Sequence, residues 1–229
     1  MGKEYELHST AQPFLDAVRS HSEPYTTGVL GEEILVYPGV MSPKYDWTSA
    51  FISKNLPEME DSDVLEVGSG SGVLSIFAML RGAKSVLALD VNPTAVKNTN
   101  ENFARHNLRP ENFYALESDL FSAVPGESKF DFVIFNAPFH GNEAADDLEK
   151  SISDFRYGLS ERFFKEVPKY LKEGGKILYA FGSMGDLSLV KGFWEDSGFK
   201  VENVDEDHPG NYMQQVEDWT CYLFTLARS

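Results

Sequence analysis

Cysteine is almost missing from this sequence: Cys221 is the only one in 229 residues. A lone cysteine cannot form an intrachain disulfide, and it rules out the cysteine-rich spacings that bind zinc or iron–sulfur clusters. The histidines offer no substitute, since four of them show no metal-ligand spacing: His8, His21, His106 and His208. We therefore expect neither a disulfide nor a bound metal.

Basic residues are scarce, and long apolar runs are missing. Lys and Arg number 20 against 36 Asp and Glu, which gives a formal net charge of −16. The basic residues are scattered, so the sequence disfavours nucleic acid as a partner because its phosphates would be repelled. No apolar run reaches the ~18 residues of a membrane span, and the N-terminus lacks a signal-peptide core. We expect a cytoplasmic protein without a membrane anchor; a homodimer is compatible with the sequence.

The rest of the composition is that of an ordinary globular protein, with 42% hydrophobic and 24% charged residues. The length suits one domain with a modest extension. We predict residues 1–55 to be an N-terminal extension packed on the core, and residues 56–229 to be a catalytic domain. The extension has patterns for a helix at 8–20, two short strands within 29–37 around a Gly-Glu turn, and a helix at 47–55 capped by Asp46.

From residue 62 onward, strand and helix patterns alternate. Strands are predicted at 63–67, 84–89, 112–116, 131–135, 176–181, 199–204 and 219–227, and helices at 72–81, 93–106, 158–172 and 186–197. This alternation predicts an α/β fold: a doubly wound, mostly parallel, seven-stranded sheet with helices on both faces. No helical pattern joins the last two strands, so we expect an antiparallel edge strand there.

Glycine is concentrated directly after the first of these strands. Gly68, Gly70 and Gly72 are spaced as GxGxG, whereas the dinucleotide fingerprint GxGxxG would need glycine at position 73, which is valine. A strand, a glycine turn and a helix bring the backbone close to a nucleotide-like ligand. Two acids strengthen the signal: Glu66 lies inside the strand, and Asp90 ends the next strand, where it can accept hydrogen bonds from ribose hydroxyls.

These features together resemble the class I S-adenosylmethionine-dependent methyltransferases, from about residue 62 to the C-terminus. The resemblance implies a Rossmann-like methyltransferase fold with S-adenosylmethionine as the cofactor. It also implies that the glycine loop lies against the amino-acid part of the cofactor, that Asp90 holds the ribose and that Asp119 contacts the adenine amino group.

A tetrapeptide after the fourth strand points to the reaction. The residues are Asn136, Ala137, Pro138 and Phe139, and ligands of open α/β sheets bind at such strand ends. The Asn136 side-chain oxygen and the Ala137 carbonyl can accept both protons of a planar NH₂ group, which aims the nitrogen lone pair at the methyl group. Phe139 can stack on a flat acceptor and favour positive charge on its nitrogen. We predict these four residues as the catalytic set.

The tetrapeptide resembles the Asn-Pro-Pro-Tyr/Phe motif of amino-methyltransferases that modify adenine, guanine N2 or a glutamine amide. Ala137 stands where that family has proline. Upstream, residues 38–47 resemble the Pro-Gly-Val-Leu-Ile-Pro-Arg-Pro-Glu-Thr segment of release-factor glutamine methyltransferases, and a related segment precedes the core of ribosomal-RNA guanine-N2 methyltransferases. This segment implies that Asp46 lines the cofactor pocket. The predicted cofactor-binding set is Asp46, Glu66, Gly68, Ser69, Gly70, Asp90, Val91, Asp119, Leu120 and Asn136.

We therefore expect an S-adenosylmethionine-dependent methyltransferase that methylates a planar nitrogen by in-line displacement. The nitrogen is expected to be the glutamine amide of a protein or the exocyclic amino group of a base, and the acceptor a protein or a small molecule rather than a nucleic acid. An O- or C-methyltransferase acting on a small metabolite is the alternative that Ala137 and the acidity favour. An NAD-dependent oxidoreductase is disfavoured by the GxGxG spacing, and a non-catalytic partner protein is disfavoured because both motifs are kept. The acidic segment 143–149 is expected to be a solvated, mobile lid, His140 to be a turn residue, and Tyr212 and Trp219 to border a loop that could line a pocket.

Overall fold

The computed structural model describes residues 11–208 and 219–229. The strands are β1 (Tyr25–Val29), β2 (Glu32–Val36), β3 (Asp63–Val67), β4 (Ser85–Asp90), β5 (Phe113–Glu117), β6 (Phe130–Asn136), β7 (Leu171–Gly182), β8 (Phe199–Asp207) and β9 (Cys221–Arg228). The helices are α1 (Ala11–Arg19), α2 (Thr48–Asn55), α3 (Val73–Leu80), α4 (Pro93–Arg105), α5 (Asp147–Lys150), α6 (Gly158–Glu166) and α7 (Leu187–Asp196). Residues 8–10 of the predicted first helix and Tyr212 lie outside the described residues.

A seven-stranded sheet in the order β5-β4-β3-β6-β7-β9-β8 forms the centre of the molecule. Strands β3 to β7 are parallel, and β9 runs antiparallel between β7 and β8. The predicted fold class is confirmed, with the reversed strand β9 placed one position inside the edge strand β8. From the central strand β3 the chain first builds one side of the sheet and then crosses to β6 on the other side. The carboxyl ends of β3, β4 and β6 therefore meet at a topological switch point, where ligands bind in such sheets.

Side chains alternate between the two faces of the sheet, and each face has its own core. Val64, Ile134 and Leu178 belong to the core that α2, α3 and α4 cover. The neighbouring residues in β3 and β7, Leu65 and Tyr179, belong to the opposite core under α6 and α7. Helices on both faces bury most residues of the central parallel strands, as their near-continuous apolar sequences require.

The end of α6 is a correction to the predicted helix at 158–172. The helix ends at Glu166, a 3₁₀ turn containing Pro168 follows, and β7 already begins at Leu171. Proline lacks the N–H that would continue the helical hydrogen bonds. The pair Gly174-Gly175 therefore lies inside β7, where the pairing with β6 shifts register between Phe130 and Phe132. A Cβ at Gly175 would lie 3.0 Å from two carbonyl oxygens, so this irregularity needs glycine.

The N-terminal hairpin is attached to α4 by asparagine side chains. Strand β1 begins at Tyr25, and the turn to β2 falls at Leu30-Gly31, both with positive φ, rather than at the predicted Gly-Glu. Asn98 and Asn102 of α4 hydrogen-bond the backbone of β2 and of Tyr37 at 2.8–2.9 Å. These side chains satisfy backbone groups at the edge of the hairpin, where a third strand would otherwise pair. The attachment holds the following segment, residues 38–47, at the carboxyl edge of the sheet; the division into two domains stays a prediction.

Across residues 11–208 and 219–229, none of the helices combines the length and the apolar character needed to cross a bilayer.

Candidate active site

The glycine loop between β3 and α3 leaves bare backbone facing a cavity. Its glycines have φ values of +72° at Gly68, +55° at Gly70 and +82° at Gly72, a region that side chains disfavour. A Cβ at Gly72 would lie 2.9 Å from Thr99, so this glycine serves helix packing. A Cβ at Gly70 would meet no atom within 4 Å. Gly70 therefore offers room for a ligand to approach the backbone closely.

Asp90 ties the end of β4 to the glycine loop. Its two carboxylate oxygens accept hydrogen bonds from the backbone N–H groups of Gly70 and Asn92, both at 2.8 Å. Burial raises the pKa of Asp90, and these two hydrogen bonds oppose that rise. Val91, the next residue, is 53% exposed and also faces the cavity. The arrangement holds a carboxylate where a hydroxyl-bearing ligand can reach it.

Glu66 is a buried acid inside the central strand. It is 2% exposed, and its carboxyl group accepts a hydrogen bond from the hydroxyl of Ser75. Burial raises its pKa to about 8, the Ser75 hydrogen bond lowers it, and nearby Asp90 raises it. The carboxyl group is therefore mostly protonated at neutral pH. A cation bound beside it would favour the ionised form.

The cavity around these residues has a volume of about 620 Å³, which is within the usual range of cofactor pockets. It lies at the topological switch point of the sheet. All ten residues of the predicted cofactor-binding set line it: Asp46, Glu66, Gly68, Ser69, Gly70, Asp90, Val91, Asp119, Leu120 and Asn136. The placement agrees with the predicted set, and the role of each residue stays a prediction.

Asp119 is an exposed member of that set. Its side chain has an exposed fraction of 59%, and one of its oxygens lies 3.0 Å from the guanidinium of Arg162. Leu120, by contrast, is buried with a φ of +47°, and its carbonyl accepts a 2.6 Å hydrogen bond from the Ser118 hydroxyl. The turn thus fixes the backbone after β5, while one Asp119 oxygen already has a partner.

A second, smaller cavity of about 120 Å³ adjoins the first. Asn136, Ala137 and Phe139 of the predicted catalytic set line it, whereas Pro138 lines only the larger one. The two cavities have four lining residues in common: Met41, Asp46, Asn136 and Ser151. Asn136, at the end of β6, is therefore the residue of the tetrapeptide that lines both cavities.

Several aromatic side chains line the small cavity. Phe139 lies 5.5 Å from Trp219 and 6.2 Å from Phe181, and Trp47 lies 5.3 Å from Trp219, measured between ring centroids. Trp219 was expected at the border of a pocket and lines this one. His140, expected as a turn residue, is 6% exposed and lines the same cavity. The sequence pattern gave no sign of Phe14, Trp47, Thr48 or Met184 in this wall.

The acidic segment after the tetrapeptide contacts α1; Glu143, Asp146 and Asp147 are exposed, as expected of a solvated segment, and its movement as a lid stays a prediction. Part of the segment forms α5, and its residues Asp146 and Glu149 pair with Arg19 of α1 at 2.7 and 3.1 Å. Leu148 packs on Leu15 and Val18 of the same helix. Apolar contacts and ion pairs therefore hold this segment between α1 and the cavities.

The walls of the large cavity carry a strong excess of negative charge. Its acidic residues are Asp46, Glu66, Asp90, Asp119, Glu143, Asp147 and Asp154. Among residues 11–208 and 219–229, Lys150 is the one basic residue that lines it, and its ammonium lies 2.7 Å from Asp147. These surroundings favour a cationic ligand over a phosphate. Within the described part of the chain, no three His, Cys, Asp or Glu side chains are arranged to hold a metal ion.

Comparison with known proteins agrees with this geometry. Residues 32–184 match the family model described as the methyltransferase small domain. A Methanocaldococcus jannaschii protein, named provisionally as a protein N5-glutamine methyltransferase, is 34% identical over 178 residues, which are 75% of this chain and 87% of that protein. A release factor glutamine methyltransferase of Fusobacterium nucleatum is 28% identical over 76% of this chain, and the match spans about half, 52%, of that protein.

Among solved structures, a 16S rRNA N2 methyltransferase of T. thermophilus, in complex with AdoMet and guanosine, superposes with a TM-score of 0.60. It has 20% sequence identity and covers 90% of this chain and 50% of its own, so the likeness concerns the fold. Fold, family and cofactor class agree with the predictions: a Rossmann-like methyltransferase whose cofactor is S-adenosylmethionine. The chain belongs to the methyltransferase small domain family.

Proposed function

We propose that this protein transfers a methyl group from S-adenosylmethionine to the amide nitrogen of a glutamine in a basic protein segment. The observation that carries the proposal is the position of Asn136, which lines both the large and the small cavity. A methyl donor in one cavity and an acceptor nitrogen in the other would meet at this side chain. Two of the relatives described above are named as glutamine methyltransferases.

The large cavity suits the cofactor in shape and charge. Gly70 leaves room where a Cβ would stand, Asp90 can accept hydrogen bonds from ribose hydroxyls, and Val91 offers an apolar surface for the adenine. Glu66 and the other acids favour the positive charges of the sulfonium and ammonium groups. When bound, the cofactor supplies an electrophilic methyl group, and its sulfur keeps the electron pair of the broken C–S bond.

The end of β6 suits an amide acceptor. Asn136 Oδ1 and the carbonyl of Ala137 would each accept one proton of the acceptor NH₂ group and aim its nitrogen at the large cavity. The same two oxygens stabilise the positive charge that develops on this nitrogen. The nitrogen then releases one proton, which restores the planar, neutral amide. The chain needs no strong base before transfer, because the acceptor is neutral throughout its approach.

Size and charge favour a protein side chain over a nucleobase. The small cavity, about 120 Å³, falls well below the ~300–1,000 Å³ of ordinary small-molecule pockets. It suits one extended side chain better than a fused two-ring base with its ribose. The acidic walls next to it, and the net charge of −16, oppose a phosphate backbone and favour basic residues around the glutamine.

A direct experiment combines cofactor binding with acceptor identification. We expect S-adenosylhomocysteine to bind in calorimetric titration; no binding to the folded protein at millimolar concentration would remove the cofactor assignment. With methyl-labelled cofactor and a cell extract divided into protein, RNA and small-molecule fractions, label should enter the protein fraction. Protease digestion and mass spectrometry should then place the methyl group on glutamine.

Label in the RNA fraction would instead identify the exocyclic amino group of a base as the acceptor, the second candidate that the fold of the T. thermophilus enzyme allows. Label in the small-molecule fraction, on oxygen or carbon, would overturn the nitrogen assignment altogether.

A further inference from the structure

Asp46 and Thr48, at the start of α2, form a hydrogen-bonded chain that ends on Asn136. The Asp46 carboxylate is partly buried, and its Oδ1 accepts the backbone N–H of Thr48 at 3.0 Å. The same Oδ1 lies 2.6 Å from the hydroxyl oxygen of Thr48, and Oδ2 lies 3.1 Å from the hydroxyl of Ser49. Three donors therefore converge on this one carboxylate.

This arrangement assigns the hydroxyl hydrogen of Thr48. An ionised carboxylate offers only lone pairs, which suits the three donors around Asp46, so in the 2.6 Å contact it is the Thr48 hydroxyl that donates. Only lone pairs remain on Thr48 Oγ1 for any further partner. That partner is Asn136 Nδ2, at 3.3 Å, from a residue 88 positions along the chain. Thr48 Oγ1 can accept from an amide N–H but has no hydrogen left to offer to an amide oxygen.

The chain therefore decides which way the Asn136 amide is turned. With Nδ2 held by Thr48, Oδ1 is the atom left to face an acceptor group. In the opposite orientation Nδ2 would face the acceptor NH₂ group, donor against donor, and could not hold it. A free asparagine amide can rotate between the two orientations, since its oxygen and nitrogen ends have nearly the same shape.

We propose that Asp46 and Thr48 are positioning residues that fix the Asn136 amide with its oxygen toward the acceptor nitrogen. The proposal rests on the proposed transfer to an NH₂ nitrogen and deepens it. It gives the N-terminal segment a second task besides lining the cofactor cavity: its Asp-Trp-Thr sequence orients a catalytic group on the central sheet. Thr48 is 4% exposed and lines the small cavity, so water has little access to compete for these hydrogen bonds.

The test compares Thr48→Val, which removes the hydroxyl at nearly constant shape, with Thr48→Ser, which keeps it. With the glutamine-containing protein or peptide identified as acceptor, we expect Thr48→Val to lower kcat by about 10-fold or more with little change in KM. Thr48→Ser should retain most of kcat. Thr225→Val in β9 is the matched control, because it makes the same chemical change at a threonine that lines neither cavity.

A double-mutant cycle separates positioning from simple packing. If Thr48 acts through Asn136, Thr48→Val should have no further effect on kcat in an Asn136→Ala background. Additive losses in the two variants, or an equal loss in Thr48→Ser and Thr48→Val, would overturn the proposal. Titration with S-adenosylhomocysteine should give the same affinity for both Thr48 variants, which shows that the cofactor cavity is intact.

One measurement needs no acceptor, so it distinguishes failure of this proposal from failure of the proposed function. In protein with ¹⁵N-labelled asparagine, the side-chain NH₂ signals of Asn136 can be assigned by their loss in Asn136→Ala. We expect Thr48→Val, but not Thr48→Ser, to shift them and to speed their exchange with water. Unchanged signals would refute the hydrogen-bonded chain, whatever the enzyme methylates. Changed signals with no transfer to any nitrogen would leave the chain in place and refute the proposed reaction.

Discussion

The two cavities that meet at Asn136 differ in how the sequence builds them. One side of the large cavity is formed by the turns that follow β3, β4 and β5, each a short continuous stretch such as the glycine loop, and residues 39–49 and 135–159 form the rest. The small one combines residues far apart in sequence, from Phe14 in α1 through Asn136 to Trp219 before β9. A cofactor site can therefore be encoded locally, whereas this acceptor site exists only once the N-terminal segment and the final strand have packed on the sheet.

The two cavities also differ in the groups that determine what they bind. Backbone groups and glycine conformations define the large cavity, and these depend little on side-chain identity. Side chains of α1, α2 and the segment after β6 define the small cavity. Changes of acceptor are therefore expected to map onto the small cavity, and changes of cofactor affinity onto the large one.

The sharpest test of this separation is Asn136→Ala, which should have the largest effect. Removing the side-chain acceptor should lower kcat by about 100-fold or more, as loss of one oriented polar group at a reacting centre commonly does. Affinity for S-adenosylhomocysteine should change little, because Asp90 and the glycine loop remain. Steady-state kinetics and calorimetry check the two parts. A parallel loss of kcat and cofactor affinity would mean that the two cavities cannot be treated as separate sites.

Gly70→Ala should affect the other cavity alone. Alanine at φ +55° is strained, and its methyl group would enter the cavity where the structure leaves open space. We expect S-adenosylhomocysteine affinity to fall by about 10-fold or more, which is about 1.4 kcal/mol, because the methyl group takes space that the ligand would occupy.

Gly126→Ala is the control for Gly70→Ala. Gly126 has nearly the same φ, +52°, and a Cβ there also meets no atom within 4 Å, but it lies outside both cavities. Both variants should lose similar thermal stability, while only Gly70→Ala should weaken binding. Equal affinities of the two variants for S-adenosylhomocysteine would show that position 70 requires glycine because of its backbone conformation, and not to leave room for the ligand.

Glu66 gives the large cavity a pH dependence. Its pKa of about 8 exceeds the ordinary 4.5, so between these values the folded protein binds more protons than the unfolded chain. The free energy of unfolding therefore falls as pH rises through this window. Glu66→Gln should remove much of this decrease and raise Tm at pH 8.5, relative to pH 5, by roughly 3–10 °C, or about 1–3 kcal/mol. Asp90, whose pKa burial also raises, leaves a residual slope.

Thermal melts at the two pH values check the effect, with the exposed Glu117→Gln as control. An unchanged pH slope in Glu66→Gln would mean that the buried carboxyl group does not hold its proton. Binding of the cationic cofactor should lower the pKa of Glu66 and release a fraction of a proton per molecule. The calorimetric binding enthalpy should therefore differ between buffers of different ionisation enthalpy.

The local features of the large cavity explain why so much of it could be predicted. Gly68, Gly70 and Asp90 lie next to strands whose periodicity is plain, and strand ends of a parallel sheet share one edge. The tetrapeptide at 136–139 could be placed for the same reason. The sequence drew attention to Trp219 and His140 but could not place them in a particular cavity. The local sequence of a side chain does not determine which residues from other elements lie beside it.

The errors have physical causes of the same kind. Gly174-Gly175 looked like a helix end, but Pro168 had already ended α6 and the glycines fill an irregular pairing inside β7. The attachment of the segment 143–149 to α1 could not be predicted either, because Asp146 and Glu149 pair with a residue far away in the sequence. Their partner, Arg19, lies 127 residues from Asp146. Long-range ion pairs of this type leave no trace in periodicity or spacing.

Arg19→Gln should give the smallest effect, and it tests whether α1 belongs to the acceptor cavity. The guanidinium of Arg19 is exposed, so its ion pairs with Asp146 and Glu149 are screened and add little stability. Yet α1 also supplies Phe14 and Ala11 to the small cavity and packs Leu15 on Leu148. Loosening this contact should raise KM for the acceptor by about 2- to 5-fold and leave kcat and cofactor affinity unchanged. Arg105→Gln, which breaks the exposed pair with Glu101 on α4, is the control and should leave KM alone. If both variants have the same KM for the acceptor, the position of α1 does not affect acceptor binding, and α1 is not part of the acceptor site.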